Sequence, residues 1–254
     1  MKNIIRKLLS IFDYEIRRIN PFPAGSNNRE VGDMKKLLED LKVRGFNCKA
    51  VLDVGAHMGF WSQMAKEVYP AAKFCLIEPQ FEVESLLKRF CDGWDDCTYV
   101  MAGAGAAKGR KTLTTSDDLS GASFMPKEDE VLKDAGNQRV IDIVTIDEVI
   151  KNTNFGIPDL AKLDVQGYEL EALKGAESLF GKTEVFILEV SLFSFGSDLG
   201  FPVFDEVITF MLKRNYVVYD FPGFSRRPYD GALAQCDICF VKKDSFLRAS
   251  NSWD

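Results

Sequence analysis

The chain has 254 residues, of which 46% are hydrophobic, and it carries a formal net charge of −6. That length and apolar content are sufficient for one α/β domain with a full core, and they argue only softly against two domains. The acidic balance, without any run of five basic residues, excludes a general electrostatic attraction to nucleic acid.

Residues 1–20 place their apolar side chains largely along one helical stripe. Positive charge in this segment comes from Lys2, Arg6, Lys7, Arg17 and Arg18. The pattern is typical of a helix that lies on a membrane surface, which would make the protein peripheral to the membrane. The alternative is a helix packed on the domain or on a second subunit of a homodimer. We favour the alternative, because most amphipathic helices are simply half buried.

Residues 21–28 form a linker, and a helix is predicted over residues 33–44, with Gly45 as its stop. We therefore divide the chain into an N-terminal helical extension, residues 1–48, and a domain of residues 49–254. Within the domain, strands and helices alternate. Strands are predicted over residues 49–54, 73–78, 98–102, 160–165, 184–190, 216–220 and 237–242, and helices over residues 60–68, 82–90, 168–180 and 203–214.

The short central strands are apolar throughout, which favours a doubly wound α/β fold with a mostly parallel sheet covered on both faces. Such a sheet binds ligands beyond the carboxyl ends of its strands. Four acids fall at those ends: Asp53, Glu78, Asp164 and Glu189. Because packing alone does not require four acids there, the sequence predicts a ligand site at this edge.

Residues 109–145 interrupt the alternation. Two extra strands are predicted over residues 111–115 and 139–144, and a polar loop between them contains Asp117, Asp118, Ser120, Gly121 and Ser123. A long polar insertion on the ligand side of a sheet is often a lid. The alternative is a surface excursion without a role.

The segment Val51-Leu-Asp-Val-Gly-Ala-His-Met-Gly-Phe60 predicts a strand, a glycine turn and a helix. Glycines let the backbone approach a ligand, and Glu78 at the end of the next strand can accept hydrogen bonds from a ribose diol. A dinucleotide fingerprint requires Gly-x-Gly-x-x-Gly, but His57 stands where the second glycine should be. Asp53 would repel a phosphate and attract a cation. The turn therefore suits S-adenosylmethionine, a sulfonium without phosphate, better than NAD.

Several other motifs occur in a fixed order along the chain: Asp53-Val-Gly-Ala-His-Met-Gly59, Ile77-Glu-Pro-Gln80, Val144-Thr-Ile-Asp-Glu148, Lys162-Leu-Asp-Val-Gln-Gly-Tyr-Glu169, Lys174-Gly-Ala176 and Gln235-Cys-Asp-Ile-Cys-Phe-Val241. Together they resemble the FkbM family of S-adenosylmethionine-dependent methyltransferases, over about residues 50–243. The resemblance implies a Rossmann-like, seven-stranded sheet with one antiparallel strand. It also implies methyl transfer to an oxygen, often on a sugar, glycolipid or secondary-metabolite acceptor.

The expected cofactor-binding residues are Asp53, Gly55, Ala56, His57, Gly59, Glu78, Pro79, Gly103 and Asp164. The glycines of the first turn would leave room for the methionine part, and Asp53 would lie near its charged end. Ala102, Gly103 and Ala104 would leave a slot for the base. The alternatives are an ordinary capped turn, a solvated acid at Glu78, and a catalytic base at His57.

Lys162 and Asp164 lie two residues apart on a predicted strand, so they point to the same face. A buried lysine must find a partner or lose its charge, and Asp164 and Glu189 are its expected partners. The catalytic prediction is Asp164, Lys162 and Glu189, with one member holding the acceptor hydroxyl or taking its proton. Desolvation would lower the pKa of Lys162 and make it a better base. The alternative is a structural ion pair.

Six cysteines lie mostly in apolar segments, as expected for buried thiols of a reducing compartment. Cys236 and Cys239, three apart on a predicted strand, would face opposite sides of the sheet and are predicted to be core thiols. With no signal peptide and no run of 18 apolar residues, a cytoplasmic protein is expected.

The prediction includes no metal, although acids near Asp164 could hold magnesium. Phe193, Phe195, Phe201 and Phe204 are predicted either to line the acceptor pocket or to pack in the core. The competing functions are an NAD-type oxidoreductase and a non-catalytic module that binds a nucleoside.

Overall fold

The computed structural model describes residues 30–115, 119–125, 128–195 and 200–253. The predicted helix of residues 1–20 and the linker after it lie outside the described residues, as do Asp117 and Asp118. In the described part of the chain, no helix is long and apolar enough to cross a membrane.

Helix α1 (Met34–Val43) begins the described chain, close to its predicted bounds. The carboxylate of Asp33 caps it by accepting a 2.9 Å hydrogen bond from the backbone N–H of Lys36. Leu37, Leu38 and Leu41 are fully buried and belong to the core on one face of the sheet. This part of the predicted N-terminal extension therefore packs into the domain.

The main sheet has seven strands in the order β3-β2-β1-β7-β8-β10-β9. Strand β10 alone runs antiparallel to the rest, because it pairs antiparallel with both β8 and β9. The predicted fold, a mostly parallel sheet with one antiparallel strand, is confirmed. The strands are β1 (Ala50–Val54), β2 (Lys73–Glu78), β3 (Cys97–Met101), β7 (Leu160–Leu163), β8 (Val185–Ser191), β9 (Tyr216–Arg226) and β10 (Leu233–Lys242).

Helices cover both faces of this sheet, as a doubly wound fold requires. Helices α2 (Phe60–Val68) and α3 (Glu84–Asp92) contribute Ala65, Val68 and Leu87 to the same core as α1. On the other face, α5 (Ile146–Asn152), α6 (Glu169–Lys174) and α7 (Phe204–Leu212) bury their apolar sides in a second core. The strands between the two cores are buried on both sides, which explains why their sequences do not alternate.

The predicted insertion forms a second, three-stranded sheet in the order β4-β6-β5. Its strands are β4 (Gly103–Ala104), β5 (Gly109–Thr114) and β6 (Gln138–Val144), and a short helix, α4 (Glu130–Asp134), precedes β6. Leu113, Phe124 and Ile143 form its small core. The two predicted strands are confirmed, whereas β4 and α4 were not predicted.

Four further elements differ from the prediction. The helix over residues 168–180 is divided into α6 and a 3₁₀ turn (Glu177–Leu179), because Gly175 packs directly on the backbone of Gly105. Helix α5 was missed, although Thr145 and Glu148 form a capping box at its start. Strands β9 and β10 are longer than predicted, because they pair with each other as a hairpin.

The cysteines follow the prediction in part. Cys236 and Cys239 are buried thiols that point into the two different cores, as predicted for residues three apart on a strand. Cys48 and Cys75 are also buried thiols. The expectation was wrong for Cys91 and Cys97, which form a disulfide because the end of α3 and the start of β3 bring their Cα atoms within 4.8 Å.

Candidate active site

The glycine turn after β1 is held against strand β2 and against the loop that follows β7. The N–H groups of Gly55 and Ala56 both donate to the carbonyl oxygen of Ile77 on β2, at 2.9 and 3.2 Å. Gly55 has a φ of +76°, and a Cβ at this position would lie 1.8 Å from the carbonyl oxygen of Asp164. Only glycine fits here, for reasons of both conformation and space.

His57 occupies the position of the second glycine in a dinucleotide fingerprint, and its backbone has a φ of 48°. This is the left-handed region that glycine favours. The backbone N–H of His57 donates a 2.8 Å hydrogen bond to Oε2 of Glu78. The backbone therefore keeps the geometry of a glycine turn. In addition, His57 places an imidazole at the ligand side, and its N–H links the turn to the carboxylate of Glu78.

Glu78 ends β2 and is 2% exposed. Its Oε1 accepts a 2.9 Å hydrogen bond from the backbone N–H of Gln80, while Oε2 accepts the one from His57. Burial raises the pKa of Glu78, and these N–H donors act against that rise. The side-chain amide of Gln80 acts in the same direction. A carboxylate has four acceptor sites, so Glu78 keeps acceptor capacity for a ligand.

A cavity opens at this edge of the sheet, and its empty volume is about 600 Å³ when open solvent at its mouth is included. Among the described residues that line it there is no lysine and no arginine, whereas two carboxylates are present, from Glu78 and Asp164. Other lining residues come from the ends of β1 and β3, from the insertion and from the loop after β7: Val54, Gly55, His57, Ile77, Pro79, Gln80, Ala102, Gly103, Ala104, Leu119, Ser120, Ala122, Phe124, Val165 and Gln166.

The predicted cofactor residues divide into two groups. Gly55, His57, Glu78, Pro79, Gly103 and Asp164 line the cavity. Asp53, Ala56 and Gly59 are outside this lining: Asp53 is fully buried within β1, Ala56 is in the core, and Gly59 is the residue before helix α2. Their assignment to the cofactor site therefore stays a prediction.

Lys162 joins two acids at the base of the site. Its Nζ lies 3.1 Å from Oδ2 of Asp164 and 3.7 Å from Oδ1 of Asp53. Asp53 also accepts a 2.7 Å hydrogen bond from the hydroxyl of Ser62. The predicted contact with Asp164 is present, but the second partner of Lys162 is Asp53 and not Glu189.

The predicted fall in the pKa of Lys162 is wrong. Burial acts in that direction, but the carboxylates of Asp164 and Asp53 outweigh it and raise the pKa of Lys162 above its ordinary value. In the same way, burial opposes the ionisation of Asp164, while Lys162 outweighs that effect and holds the pKa of Asp164 below its ordinary value. At neutral pH, Lys162 is therefore charged and is unsuited to act as a base.

Gln166 connects the two remaining acids. Its Nε2 donates to Oδ1 of Asp164 at 2.9 Å and to Oε2 of Glu189 at 2.8 Å. Gln166 has a φ of 52°, and the carboxylate of Glu169 holds the loop by accepting from the N–H groups of Val165 and Gly167. Gln166 was absent from the predicted site residues, although it stands inside the Lys-x-Asp-x-Gln-Gly-x-Glu motif.

Glu189 lies on β8, next to the side-chain amide of Gln166 but outside the lining of the cavity. Burial and the nearby charge of Asp164 raise the pKa of Glu189 to about 9. Nε2 of Gln235 also donates to it, at 3.1 Å. Glu189 and Asp164 are therefore in opposite protonation states at neutral pH, with Asp164 ionised and Glu189 protonated.

The insertion and the aromatic segment lie at the same end of the sheet. Leu119, Ser120, Ala122 and Phe124 of the insertion line the cavity, and the hydroxyl of Ser123 donates a 2.7 Å hydrogen bond to the carbonyl oxygen of Gln166. In the aromatic segment, the ring centroid of Phe195 lies 5.8 Å from that of Phe193 and 6.4 Å from that of Phe201. Phe201 packs on Gly167, and Phe204 packs against the core.

No group of three or more His, Cys, Asp and Glu side chains among the described residues is arranged to hold a metal ion. The carboxylates of the site form ion pairs or hydrogen bonds with Lys162, Gln166 and backbone N–H groups.

The strand order, the glycine turn and the acid at the end of β2 together define a Rossmann-like methyltransferase domain. The model of the methyltransferase FkbM domain matches residues 53–218. The chain therefore belongs to the FkbM methyltransferase family.

Among curated proteins, the methyltransferase sdnD of Sordaria araneosa is 28% identical over 155 residues. The match covers 50% of this chain, and the chain spans about 60% of the length of that relative. Among solved structures, the methyltransferase FkbM of Methylobacillus flagellatus KT is 19% identical, with a TM-score of 0.48 over 76% of this chain and 44% of that chain. The 1,6-didemethyltoxoflavin-N1-methyltransferase of Burkholderia thailandensis, solved with S-adenosylhomocysteine, is 12% identical, with a TM-score of 0.45 over 96% of this chain and 89% of that one.

Proposed function

We propose that this protein is an S-adenosylmethionine-dependent methyltransferase that methylates a hydroxyl oxygen, on a sugar, glycolipid or secondary-metabolite acceptor. The observation that carries the proposal is the carboxylate of Glu78, which is buried at a strand end and oriented by two backbone N–H groups. This arrangement suits a ribose diol, which can donate one hydrogen bond to each carboxylate oxygen.

The charge of the cavity supports a ligand without phosphate. A dinucleotide carries a pyrophosphate, which the fingerprint places against glycine-rich backbone at a helix N-terminus. Here the described lining contains two acids and no lysine or arginine, and His57 interrupts the glycine pattern. S-adenosylmethionine has a sulfonium and an ammonium and no phosphate, so its charge matches the wall. The NAD alternative is not favoured.

In the proposed reaction, S-adenosylmethionine supplies a methyl group that is already electrophilic. The work left for the protein is to align an acceptor hydroxyl, to exclude water and to remove one proton. We assign the proton to Asp164, because this residue lines the cavity and Lys162 keeps it ionised. Its Oδ1 is oriented by Gln166, and its Oδ2 by Lys162.

Direct binding tests the first half of the proposal. Calorimetry with S-adenosylhomocysteine and S-adenosylmethionine should give heat with the wild-type protein. Glu78→Gln should bind roughly 10- to 100-fold more weakly, since a hydrogen bond to a charged group contributes about 1.5–3 kcal/mol. The matched control is Glu84→Gln, at an exposed acid on α3. The absence of heat and of any thermal shift with both ligands would overturn the proposal.

Methyl transfer to an acceptor tests the second half of the proposal. Incubation with a labelled methyl donor and a library of hydroxyl-bearing acceptors should give a labelled ether, and Asp164→Asn should reduce its rate of formation. If the protein binds S-adenosylmethionine but labels no member of a broad library, a non-catalytic nucleoside-binding module becomes the better description. A product labelled on nitrogen would retain the methyltransferase and reject the oxygen acceptor.

A further inference from the structure

The side chain of Gln80 lines the cavity, and one of its polar atoms has no hydrogen-bond partner among the described residues. Gln80 lies two residues after Glu78, is 3% exposed and lines the cavity. Its Nε2 donates a 3.1 Å hydrogen bond to the carbonyl oxygen of Leu119 in the insertion. Within the described residues, its Oε1 is buried and accepts no hydrogen bond. A buried carbonyl oxygen without a donor costs free energy, so an amide kept in this state is a candidate for ligand recognition.

The orientation of this amide follows from its neighbour. Leu119 offers a carbonyl oxygen, which can only accept, so the amino group of Gln80 must face it. Exchanging the amide nitrogen and oxygen would set two acceptors against each other. The acceptor Oε1 is therefore the atom left for a partner, and that partner must be a hydrogen-bond donor.

We propose that Oε1 of Gln80 accepts a hydrogen bond from the exocyclic amine of adenine, and that Gln80 thereby selects adenosyl over other nucleosyl ligands. This inference rests on the proposed function. The adenosyl group carries three donor groups, the two ribose hydroxyls and the amine, and the two oxygens of Glu78 match the hydroxyls. The amine then lacks an acceptor, and Gln80 supplies one. Ala102, Gly103 and Ala104 line the same cavity, and Phe124 and Ile143 occupy the space beside Gly103.

A ligand that lacks the amine gives the sharpest test. S-inosylhomocysteine replaces the amine by a carbonyl oxygen, which would face the acceptor on Gln80. Calorimetry on the wild-type protein should show S-adenosylhomocysteine binding roughly 10- to 100-fold more tightly than S-inosylhomocysteine. In Gln80→Met, which has similar length and no amide, that ratio should fall to within about threefold of one. The matched control Gln63→Met, at an exposed glutamine on α2, should keep the wild-type ratio.

The outcomes separate this inference from the proposed function. If the wild-type protein binds both ligands equally, the inference fails while methyl-donor binding stands. If it binds neither, the proposed function fails. A third ligand, the 2′-deoxy analogue of S-adenosylhomocysteine, identifies the group that donates to Gln80. If Gln80→Met abolishes the loss of affinity caused by the missing hydroxyl but keeps the loss caused by the missing amine, Gln80 binds the ribose. The inference is then wrong. The ratio of the two affinities is measured on the wild-type protein, so the inference can still be tested if Gln80→Met does not fold.

Discussion

The side-chain amide of Gln166 lies 2.9 Å from Oδ1 of Asp164, with Nε2 as the donor. The same nitrogen donates its second hydrogen to Glu189. One amide group thus sets the distance between an ionised acid that lines the cavity and a protonated acid beside it. Because the backbone of Gln166 is held by Ser123 and by the loop that Glu169 fastens, the amide has little freedom to move away.

This bridge predicts that Gln166→Leu lowers kcat roughly 10- to 100-fold, with a smaller change in KM for S-adenosylmethionine. The reason is that Asp164 loses one of the two groups that orient its carboxylate, while the ribose contacts of Glu78 remain. Steady-state kinetics and calorimetry of S-adenosylhomocysteine binding check the separation.

The matched control for Gln166→Leu is Gln235→Leu. It removes only the 3.1 Å hydrogen bond to Glu189 and leaves Asp164 untouched, so its kcat should fall less. A kcat of Gln166→Leu within twofold of the wild type would show that the bridge has no role in turnover. Equal losses of unfolding free energy and of kcat would indicate a structural role alone.

The sequence predicted the fold better than it predicted the contacts within the site. Apolar runs and glycine turns mark where strands begin and end, and those signals are local. The partner of Lys162 depends on strand order, which is not local. In the sheet, Lys162 on β7 lies directly opposite Asp53 on β1, whereas Ile187 lies opposite it on β8. Glu189 lies two residues further along β8, where its carboxyl group accepts from the amides of Gln166 and Gln235.

Gln166 was missed for a related reason. Its amide contacts Asp164 and Glu189 from a backbone in the left-handed conformation, which a sequence pattern does not reveal for a glutamine. The residues that line the cavity were easier to predict, since the carboxyl ends of parallel strands share one edge. Asp53 satisfied that rule as well, yet it points into the buried charge cluster and away from the cavity.

The close contact of Gly55 predicts an unequal cost for two glycine substitutions. Gly55 and Gly45 both have positive φ, but a Cβ on Gly45 has no heavy atom within 4 Å, whereas one on Gly55 would overlap the backbone of Asp164. Gly45→Ala should cost about 1–2 kcal/mol from the backbone conformation alone. Gly55→Ala should cost roughly a further 1–3 kcal/mol from the overlap. Urea denaturation measures both values, and equal costs would contradict this packing.

The shifted pKa of Glu189 predicts how stability depends on pH. Burial and Asp164 raise the pKa of Glu189 from 4.5 to about 9 in the folded protein. Between these values the folded state holds a proton that the unfolded state has lost, so this stabilising contribution is complete below pH 4.5 and disappears as pH rises to about 9. The raised pKa values of Asp237, about 6, and Glu169, about 7, act in the same direction.

The unfolding free energy of the wild-type protein should therefore fall as pH rises through this range, and Glu189→Gln should make the fall shallower. Chemical denaturation at several pH values checks the slope, with the exposed Glu84→Gln as a control that keeps the wild-type slope. Parallel curves for wild type and Glu189→Gln would mean that Glu189 is already ionised in the folded state.

The contacts of Lys162 predict strong coupling between Lys162 and Asp53. Lys162→Met removes the cation that faces both Asp53 and Asp164, and breaking a buried ion pair on one side typically costs about 3–5 kcal/mol. Adding Asp53→Asn should recover part of this loss, because the asparagine can still accept from Ser62 without a buried charge. Urea denaturation of the two single variants and the double variant gives the coupling energy, which should exceed about 1 kcal/mol. Additive losses would show that the 3.7 Å approach of Lys162 to Asp53 contributes nothing to stability.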